Sequence, residues 1–275
     1  MRGGAQAHLL EASDGHFYVV KFRNNPQHRR ILVNEWVCST FLRYLGIATP
    51  EVAIVEVSPE FLRENPEIYI QLGSSRMAFD TGWQFGSRYP GDPALTVVYD
   101  FLPDGILEQV ENLDAFRAVL AFDKWIGNAD SRQAVFFRAR LKEYLPGTAT
   151  NPLRLGFVAQ MVDNGFAFDG PNWRFTDSPI QGLYFRPQQV YASVGGLEHF
   201  QPWLDRIIHF PEEIVDQAVK QIPPLWLEGD EPAFFDLLDR LMRRRGRVPD
   251  LIEAARDGRA NPFPNWTAAR KAVTR

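Results

Sequence analysis

The sequence predicts an α+β protein with a small β-rich N-terminal lobe and a larger, mainly helical C-terminal lobe. Short strand-like runs, interrupted by one helical segment, occupy most of the first hundred positions. A β-type run at 95–101 is then broken by Leu102-Pro103-Asp104-Gly105. After this break the apolar residues follow helical spacing. We therefore expect one lobe at 1–102 and a second lobe at 103–275.

The N-terminal part is expected to fold as strand, turn, strand, helix and strand. Ser13-Asp14-Gly15 is a hairpin signal between the first two strands. Helical spacing of apolar residues predicts a helix at 28–44, which Gly46 ends. Gly and Pro residues mark loops across 58–93. The strands predicted in this part lie at 6–11, 16–22, 51–57 and 67–72.

The C-terminal part is expected to combine one hairpin with several helices. An apolar helical segment leads to Trp125, and two strand-like runs follow at 134–139 and 154–162. Beyond Phe166 an aromatic, proline-rich loop continues to about residue 187. Proline, glycine or charged turns then separate helices predicted at 202–209, 212–221 and 233–245. Bilobal kinases are built from elements in this order, with nucleotide in the cleft between the lobes.

Composition excludes several classes of protein. A chain of 275 residues with 45% hydrophobic content can bury a sizeable core. The net charge of -4 argues against general nucleic-acid binding, which usually requires a basic excess. Cys38, within an apolar helical stretch, suits a reducing compartment. The sequence shows no signal-peptide pattern and no bilayer-length apolar run, so we expect a cytoplasmic protein without membrane contact.

Three charged residues occur in the order that phosphoryl transfer requires. Lys21 ends a predicted strand, Asp130 follows an apolar helical segment, and Asp163 ends a second predicted strand. Phosphoryl transfer needs a lysine on the phosphates, one aspartate facing the incoming hydroxyl, and another aspartate holding Mg²⁺. The three residues suit these roles, although Asp163-Asn164-Gly165 is also a good turn sequence.

Short stretches along most of the chain resemble those of the HipA-like kinases, bacterial relatives of the protein and lipid kinases. The matching stretches are Gly3-Gly4-Ala5-Gln6, Tyr18-Val19-Val20-Lys21-Phe22, Asn24-Asn25-Pro26, Asn34-Glu35, Gly46-Ile47-Ala48-Thr49-Pro50, Trp125-Ile126-Gly127-Asn128-Ala129-Asp130 and Val162-Asp163-Asn164-Gly165-Phe166-Ala167-Phe168. The resemblance implies a bilobal protein-kinase-like fold, ATP and Mg²⁺ as cofactors, and a hydroxyl acceptor, with a protein serine or threonine as the family-based expectation.

The resemblance also implies roles for individual residues. Lys21 would contact the nucleotide phosphates, and Glu35 would orient it. Asp130 would be the catalytic base, and Asp163 the principal metal ligand. Asn128 is a candidate for both the catalytic and the metal site.

The nucleotide is expected to lie in the cleft between the lobes. The strand-then-break pattern around Tyr99 and Phe101 resembles a hinge that offers backbone donors and acceptors to adenine. The phosphates would then lie near Lys21 and near Gly3 and Gly4.

Two positions depart from the family pattern. Five residues after the catalytic aspartate the family has a metal-binding asparagine, and this chain has Val135. Two residues after Asp130, where histidine is frequent, it has Arg132. Valine has no oxygen for Mg²⁺, so a second metal contact would come from Asn128, Gln133 or water, or would be absent.

Three functional hypotheses follow. The first is an active Mg-ATP phosphotransferase acting on an unidentified protein or small-molecule hydroxyl. The second is a pseudokinase that binds nucleotide or a partner and, because of Val135, turns over little. The third and most distant is a carbohydrate-active enzyme using two of the many carboxylates, whose spacing the sequence does not define.

Overall fold

The computed structural model describes residues 4–145, 151 and 153–266 and shows a mixed α+β protein. Within these residues most strands precede residue 100 and most helices follow it. The predicted α+β class is therefore confirmed. The bilobal arrangement and its boundary at residue 102 stay predictions.

The described strands pair in three antiparallel sheets. The strands are β1 (His8–Glu11), β2 (Phe17–Lys21), β3 (Val52–Val57), β4 (Tyr69–Leu72), β5 (Ser75–Ala78), β6 (Gly82–Arg88), β7 (Val98–Tyr99), β8 (Gln133–Arg140) and β9 (Leu155–Val162). The strand order is β1-β2-β6-β3 in the largest sheet, β4-β5 in a separate hairpin and β7-β8-β9 in the third sheet.

The helices predicted near the C-terminus are found close to their predicted bounds, whereas the last helix was not predicted. The helices are α1 (Arg30–Tyr44), α2 (Pro59–Glu64), α3 (Asp104–Leu107), α4 (Ala115–Ile126), α5 (Leu141–Tyr144), α6 (Pro187–Val190), α7 (Trp203–Ile208), α8 (Glu212–Lys220), α9 (Pro224–Leu227), α10 (Glu231–Arg243) and α11 (Val248–Asp257). None of the helices described is both long and apolar enough to cross a bilayer.

Alternation along β2 determines which way its lysine points. Tyr18 and Val20 are buried on one face of the sheet, where they pack with Phe22 in a hydrophobic cluster. Because successive side chains of a strand point to opposite faces, Val19 and Lys21 lie on the other face. The predicted strand thus ends in a lysine that faces away from this cluster.

Helix α1 lies in the core. It was predicted at 28–44, and it ends before Gly46, which adopts a left-handed conformation with φ +72°. Its apolar residues surround the helix, as expected for a helix buried on all sides. Asn34 and Glu35 are nevertheless 0% and 3% exposed. Such buried polar groups require hydrogen-bond partners.

The β8–β9 hairpin confirms the predicted strands at 134–139 and 154–162, and its register places Gln133 opposite Val162. The strand predicted at 95–101 was too long, since only Val98–Tyr99 pairs with β8. The Thr96 backbone N–H donates instead to the Asp92 carbonyl at 2.7 Å, so a turn replaces the start of the strand.

Aromatic packing fixes α4 against α1. Trp125, near the end of α4, stacks on Phe41 of α1 at a centroid distance of 5.7 Å and packs on Phe210 at 4.8 Å. Its indole Nε1 donates to the Leu241 carbonyl at 3.0 Å. The end of α4, from which the next loop begins, is therefore held firmly in the core by Trp125.

Candidate functional site

A cavity of about 480 Å³ lies between the four-stranded sheet and the β8–β9 hairpin. Its volume falls within the range of roughly 300–1,000 Å³ typical of small-molecule sites. Val19 and Phe85 line it on the sheet side, and Val135 and Val162 line it on the hairpin side. The polar and charged lining includes Lys21, Glu35, Ser87, Asp100, Gln133 and Asp163.

The Lys21 ammonium lies between two carboxylates at the wall of this cavity. It donates hydrogen bonds to Glu35 Oε1 and to Asp163 Oδ1, the latter at 2.9 Å. The Glu35 side chain is 4% exposed, whereas that of Asp163 is 37% exposed. Asp163 is therefore the carboxylate of this pair that a ligand in the cavity can reach.

Electrostatic coupling sets the charge states of Lys21 and Asp163. Burial by itself lowers the pKa of Lys21, but the attraction of Glu35 and Asp163 outweighs it and raises this pKa above its usual value. Burial would raise the pKa of Asp163, but Lys21, assisted by Arg132, holds it below its usual value. Lys21 is thus cationic and Asp163 anionic at neutral pH.

Glu35 joins helix α1 to the segment that carries Asp163. One carboxylate oxygen accepts from Lys21, and the other accepts from the Asn164 backbone N–H at 3.0 Å. Asp163 itself has a left-handed backbone with φ +59°. The predicted turn character of this segment and its place beside Lys21 therefore coexist.

The turn after α4 presents Asp130 to solvent. Gly127 ends the helix with φ +62°. Asn128 is buried, its Nδ2 donates to Asp123 Oδ1 at 3.1 Å, and its Oδ1 accepts from the Asp130 N–H at 3.2 Å. The structure thus gives Asn128 a turn-holding role. A metal-binding or catalytic role for its amide stays a prediction.

A buried ion pair beneath this turn was not foreseen from the sequence. Arg132 donates to both carboxylate oxygens of Asp123, with Nε 2.8 Å from Oδ2, and both side chains are 0% exposed. Its Nη1 donates to the Val162 carbonyl at 3.0 Å and to Asn164 Oδ1 at 3.1 Å. Burial lowers the pKa of Arg132, but the Asp123 carboxylate more than reverses this and raises it. Arg132 therefore connects the Asp130 turn to the Asp163 segment.

One signal for this pair is visible in the sequence. Asp123 and Lys124 are the charged residues inside an otherwise apolar stretch of α4. A charged residue on the apolar side of a helix is almost never fully buried unless it is paired. This position therefore indicates that Asp123 has a buried partner. Which residue this partner is could not be predicted, because periodicity does not identify contacts between elements.

Lys124 holds a neighbouring segment against the same turn. Its Nζ donates to the carbonyls of Ser178 (3.2 Å), Pro179 (2.9 Å) and Gln181 (2.8 Å). The Gly182 N–H, next along, donates to the Asp130 carbonyl at 3.1 Å. Burial lowers the pKa of Lys124 to about 8, against the opposing attraction of nearby carboxylates. The ammonium form still predominates at neutral pH.

The residues of the predicted hinge, Tyr99 and Phe101, pack against other aromatic side chains. Tyr99 packs edge to face on Phe157 with centroids 6.3 Å apart, and Phe101 lies 6.4 Å from Phe185. Asp100, between them, lines the cavity.

The two glycines predicted to lie near the phosphates are Gly3 and Gly4. Gly4 lines the cavity, and a Cβ at this position would lie 2.3 Å from Gln27 Nε2. The nearest atom is the end of the flexible Gln27 side chain, so a small shift of that side chain would make room for a Cβ. Gly3 lies outside the described residues.

The N-terminal part of the chain, which carries several of these site residues, matches a known family. The family described as HipA-like kinase matches residues 1–136, which is 136 of 275 residues. Over residues 1–136 the chain is similar to the HipA-like kinases. The match indicates a kinase-like function, and it includes Lys21, Glu35 and Asp130, while Asp163 follows the matched region. Neither the curated proteins nor the solved structures contain a match to the chain.

Within this HipA-like kinase region, Val135 faces the cavity. It lies on β8 opposite Gln160 and lines the cavity together with Gln133 and Val162. Phe136, its neighbour along the strand, points to the opposite face and is 0% exposed. Val135 is thus a cavity residue and not a core residue.

The carboxylates at the cavity suit a metal ion that arrives with phosphate. Within 4–145, 151 and 153–266 no group of three His, Cys, Asp or Glu side chains could hold a metal. Mg²⁺ is commonly held by one or two carboxylates together with substrate phosphates and water. The half-exposed Asp163 meets this requirement, so the residues fit Mg²⁺ bound together with a nucleotide.

Proposed function

We propose that the chain binds Mg-ATP in the cavity and transfers a phosphoryl group to a hydroxyl acceptor. The observation that supports this most directly is the Lys21 ammonium held between Glu35 and Asp163 at the cavity wall. A fixed cation beside an accessible carboxylate provides the charge neutralisation that phosphoryl transfer requires.

Each residue of the proposed site has a defined task. Lys21 neutralises phosphate oxygens, Glu35 keeps its ammonium in place, and Asp163 provides the carboxylate for Mg²⁺. Bound ATP would supply the phosphoryl group, and Mg²⁺ would neutralise the charge that develops on it. Val19 and Val162 offer apolar surfaces on opposite sides of the cavity for the adenine ring.

The remaining roles rest on position in the chain and on the family. The backbone around Tyr99 and Phe101 would bind adenine, and Gly3 and Gly4 would lie near the phosphates. We assign residues 1–102 to the nucleotide-binding lobe and 103–275 to the catalytic lobe.

Asp130 is the proposed base for the acceptor hydroxyl. Its carboxylate lies at an exposed turn, where it accepts from the Ser131 N–H at 2.7 Å. An exposed base suits a large acceptor such as a protein serine or threonine, because the incoming hydroxyl approaches from solvent.

Calorimetric titration with ATP, in the presence and absence of MgCl₂, tests the binding step. We expect Mg²⁺ to strengthen ATP binding, and Asp163→Asn to lose this gain while the melting temperature changes little. Asp216→Asn, the same substitution at an exposed position on α8, should behave as the unmodified protein. Full Mg²⁺ dependence in Asp163→Asn would remove this residue from the metal site.

A pseudokinase is the second candidate, and the cavity position of Val135 favours it. A hydrocarbon side chain here cannot ligate Mg²⁺, so binding of nucleotide with slow turnover is expected. Val135→Asn would add an oxygen ligand. We expect this variant to raise phosphate transfer from γ-labelled ATP by about tenfold or more, the effect of one charge-assisted contact of roughly 1.5–3 kcal/mol.

A stability measurement on Val135→Asn and the control variant Val135→Leu accompany the turnover experiment. Because Val135 is partly exposed at the cavity, Val135→Asn should cost less stability than the roughly 1–3 kcal/mol of a fully buried unpaired amide. Val135→Leu should leave turnover unchanged. Turnover of roughly 1–100 per second by the unmodified chain, as in ordinary kinases, would show that the missing asparagine is compensated.

A further inference from the structure

The Asn34 side chain bonds four groups of one loop. It is 0% exposed within helix α1. Its Nδ2 donates to three backbone carbonyls, those of Gly165 (2.8 Å), Ala167 (3.0 Å) and Gly170 (3.0 Å). Its Oδ1 accepts from Trp173 Nε1 at 2.8 Å. An amide with two hydrogens thus serves three acceptors, and its oxygen is satisfied as well.

The loop bonded in this way has an unfavourable backbone. Four of its residues other than glycine have positive φ angles: Asp163 (+59°), Phe168 (+58°), Asp169 (+60°) and Trp173 (+50°). Such conformations are uncommon for residues with a Cβ and persist only where the surrounding structure fixes them. The bonds from Asn34 fall between the first and the last of these residues.

Helix α1 and the loop are also in close contact. A Cβ on Gly165 would lie 2.7 Å from Ile31 Cγ2 of α1. Glu35, adjacent to Asn34, accepts from the Asn164 N–H at 3.0 Å. Two neighbouring residues of one helix therefore hold the loop: Glu35 at its start and Asn34 over the next nine residues.

We propose that Asn34 is a positioning residue that holds the 163–173 loop against helix α1, and so keeps the Asp163 carboxylate beside Lys21. Its part in catalysis rests on the function proposed above. Its part in holding the loop does not. Asn34 acts through three backbone carbonyls and the Trp173 indole. None of its described hydrogen bonds is to Lys21 or to the Asp163 side chain.

Loss of Asn34 should affect phosphate binding by Lys21 and Mg²⁺ binding by Asp163 differently. The Lys21–Glu35 pair joins β2 to α1 without the loop, so phosphate binding by Lys21 should persist. The Asp163 carboxylate depends on the loop, so the effect of Mg²⁺ should weaken. A residue that only stabilises the fold would not produce this difference.

The experiment compares Asn34→Ala with Asn112→Ala. Asn112 is also buried, and its amide both donates to and accepts from the backbone of Ala159 on β9, at 2.8 Å each. Trp173→Phe is a milder variant, which removes the bond to Asn34 Oδ1 and keeps a smaller aromatic ring beside Arg30 and Phe234. It keeps the test available if Asn34→Ala does not fold.

Hydrogen exchange measures the loop without any nucleotide. In Asn34→Ala we expect the backbone amides of peptides covering 163–174 to exchange about tenfold faster or more. The reason is that the loop opens more easily once the buried hydrogen bonds of the Asn34 side chain are lost. Trp173→Phe should show a smaller increase in the same peptides, and Asn112→Ala none beyond its overall loss of stability. Unchanged exchange at 163–174 in Asn34→Ala and Trp173→Phe would overturn the proposal.

Calorimetry then tests the consequence for the site. We expect Asn34→Ala to bind ATP without Mg²⁺ within about twofold of the unmodified protein and to need about tenfold more Mg²⁺ for tight binding. Equal Mg²⁺ dependence in Asn34→Ala and the unmodified protein would overturn the positioning role. If the unmodified protein binds no ATP, the proposed function fails, and the exchange result alone decides whether Asn34 holds the loop.

Discussion

Asp123→Ala is expected to lower the free energy of unfolding by roughly 3–5 kcal/mol, the cost of removing one partner from a buried ion pair. Both Asp123 and Arg132 are fully buried, so the remaining guanidinium would lose its directly bonded carboxylate. The same change also frees the Asn128 amide, which donates to Asp123. Urea unfolding followed by circular dichroism measures the loss.

A double-mutant cycle separates the pair from its surroundings. Arg132→Met should be destabilising as well, because it leaves the Asp123 carboxylate buried. The combination Asp123→Ala with Arg132→Met should cost clearly less than the sum of the single changes, since no uncompensated charge remains. Additive costs below about 1 kcal/mol each would contradict a strongly coupled pair.

Lys21→Met is expected to weaken ATP binding by roughly 10- to 100-fold, the loss of a charge-assisted contact worth about 1.5–3 kcal/mol. The Lys21 ammonium is the cation that the structure places between Glu35 and Asp163 at the cavity. Methionine has a similar length and no charge, so the change tests charge more than packing. Calorimetry on the purified variant gives the affinity.

Two variants control the Lys21 experiment. Lys220→Met makes the same replacement at an exposed site on α8 and should leave ATP affinity unchanged. Glu35→Gln keeps the shape of the partner and should weaken binding less than Lys21→Met, because Asp163 still attracts the ammonium. Equal affinities of Lys21→Met and the unmodified protein would place the nucleotide elsewhere.

Local patterns were sufficient for most of the elements that carry the site, whereas β6, which contributes Phe85 and Ser87 to the cavity, lies in a stretch that was expected to form loops. Alternation predicted the strand ending at Lys21, helical spacing predicted the helix containing Asn34 and Glu35, and two β-type runs predicted the hairpin that leads to Asp163. These patterns depend on a few neighbouring residues whose side chains share one face. The pattern of neighbouring residues that share a face can therefore be recognised in a single sequence.

Patterns failed where contacts between distant segments decide the outcome. The run at 95–101 has strand-like composition, but a hydrogen bond from Thr96 to the Asp92 carbonyl turns its first part away from β8. The contacts of Asn128 were also beyond local patterns, because its amide bonds Asp123 and the Asp130 N–H and so holds the turn that presents Asp130.

By itself, the sequence determined the α+β class, most of the strands and helices apart from β6 and α11, and the order of Lys21, Asp130 and Asp163. Only the tertiary structure decided that Val135 faces the cavity, that Asp123 pairs with Arg132, and that Asn34 holds a loop 131 residues away. The physical reason is that periodicity records which face of an element is apolar, whereas a buried polar group obtains its partner from whatever element packs against it. That partner is specified by the packing of the whole chain.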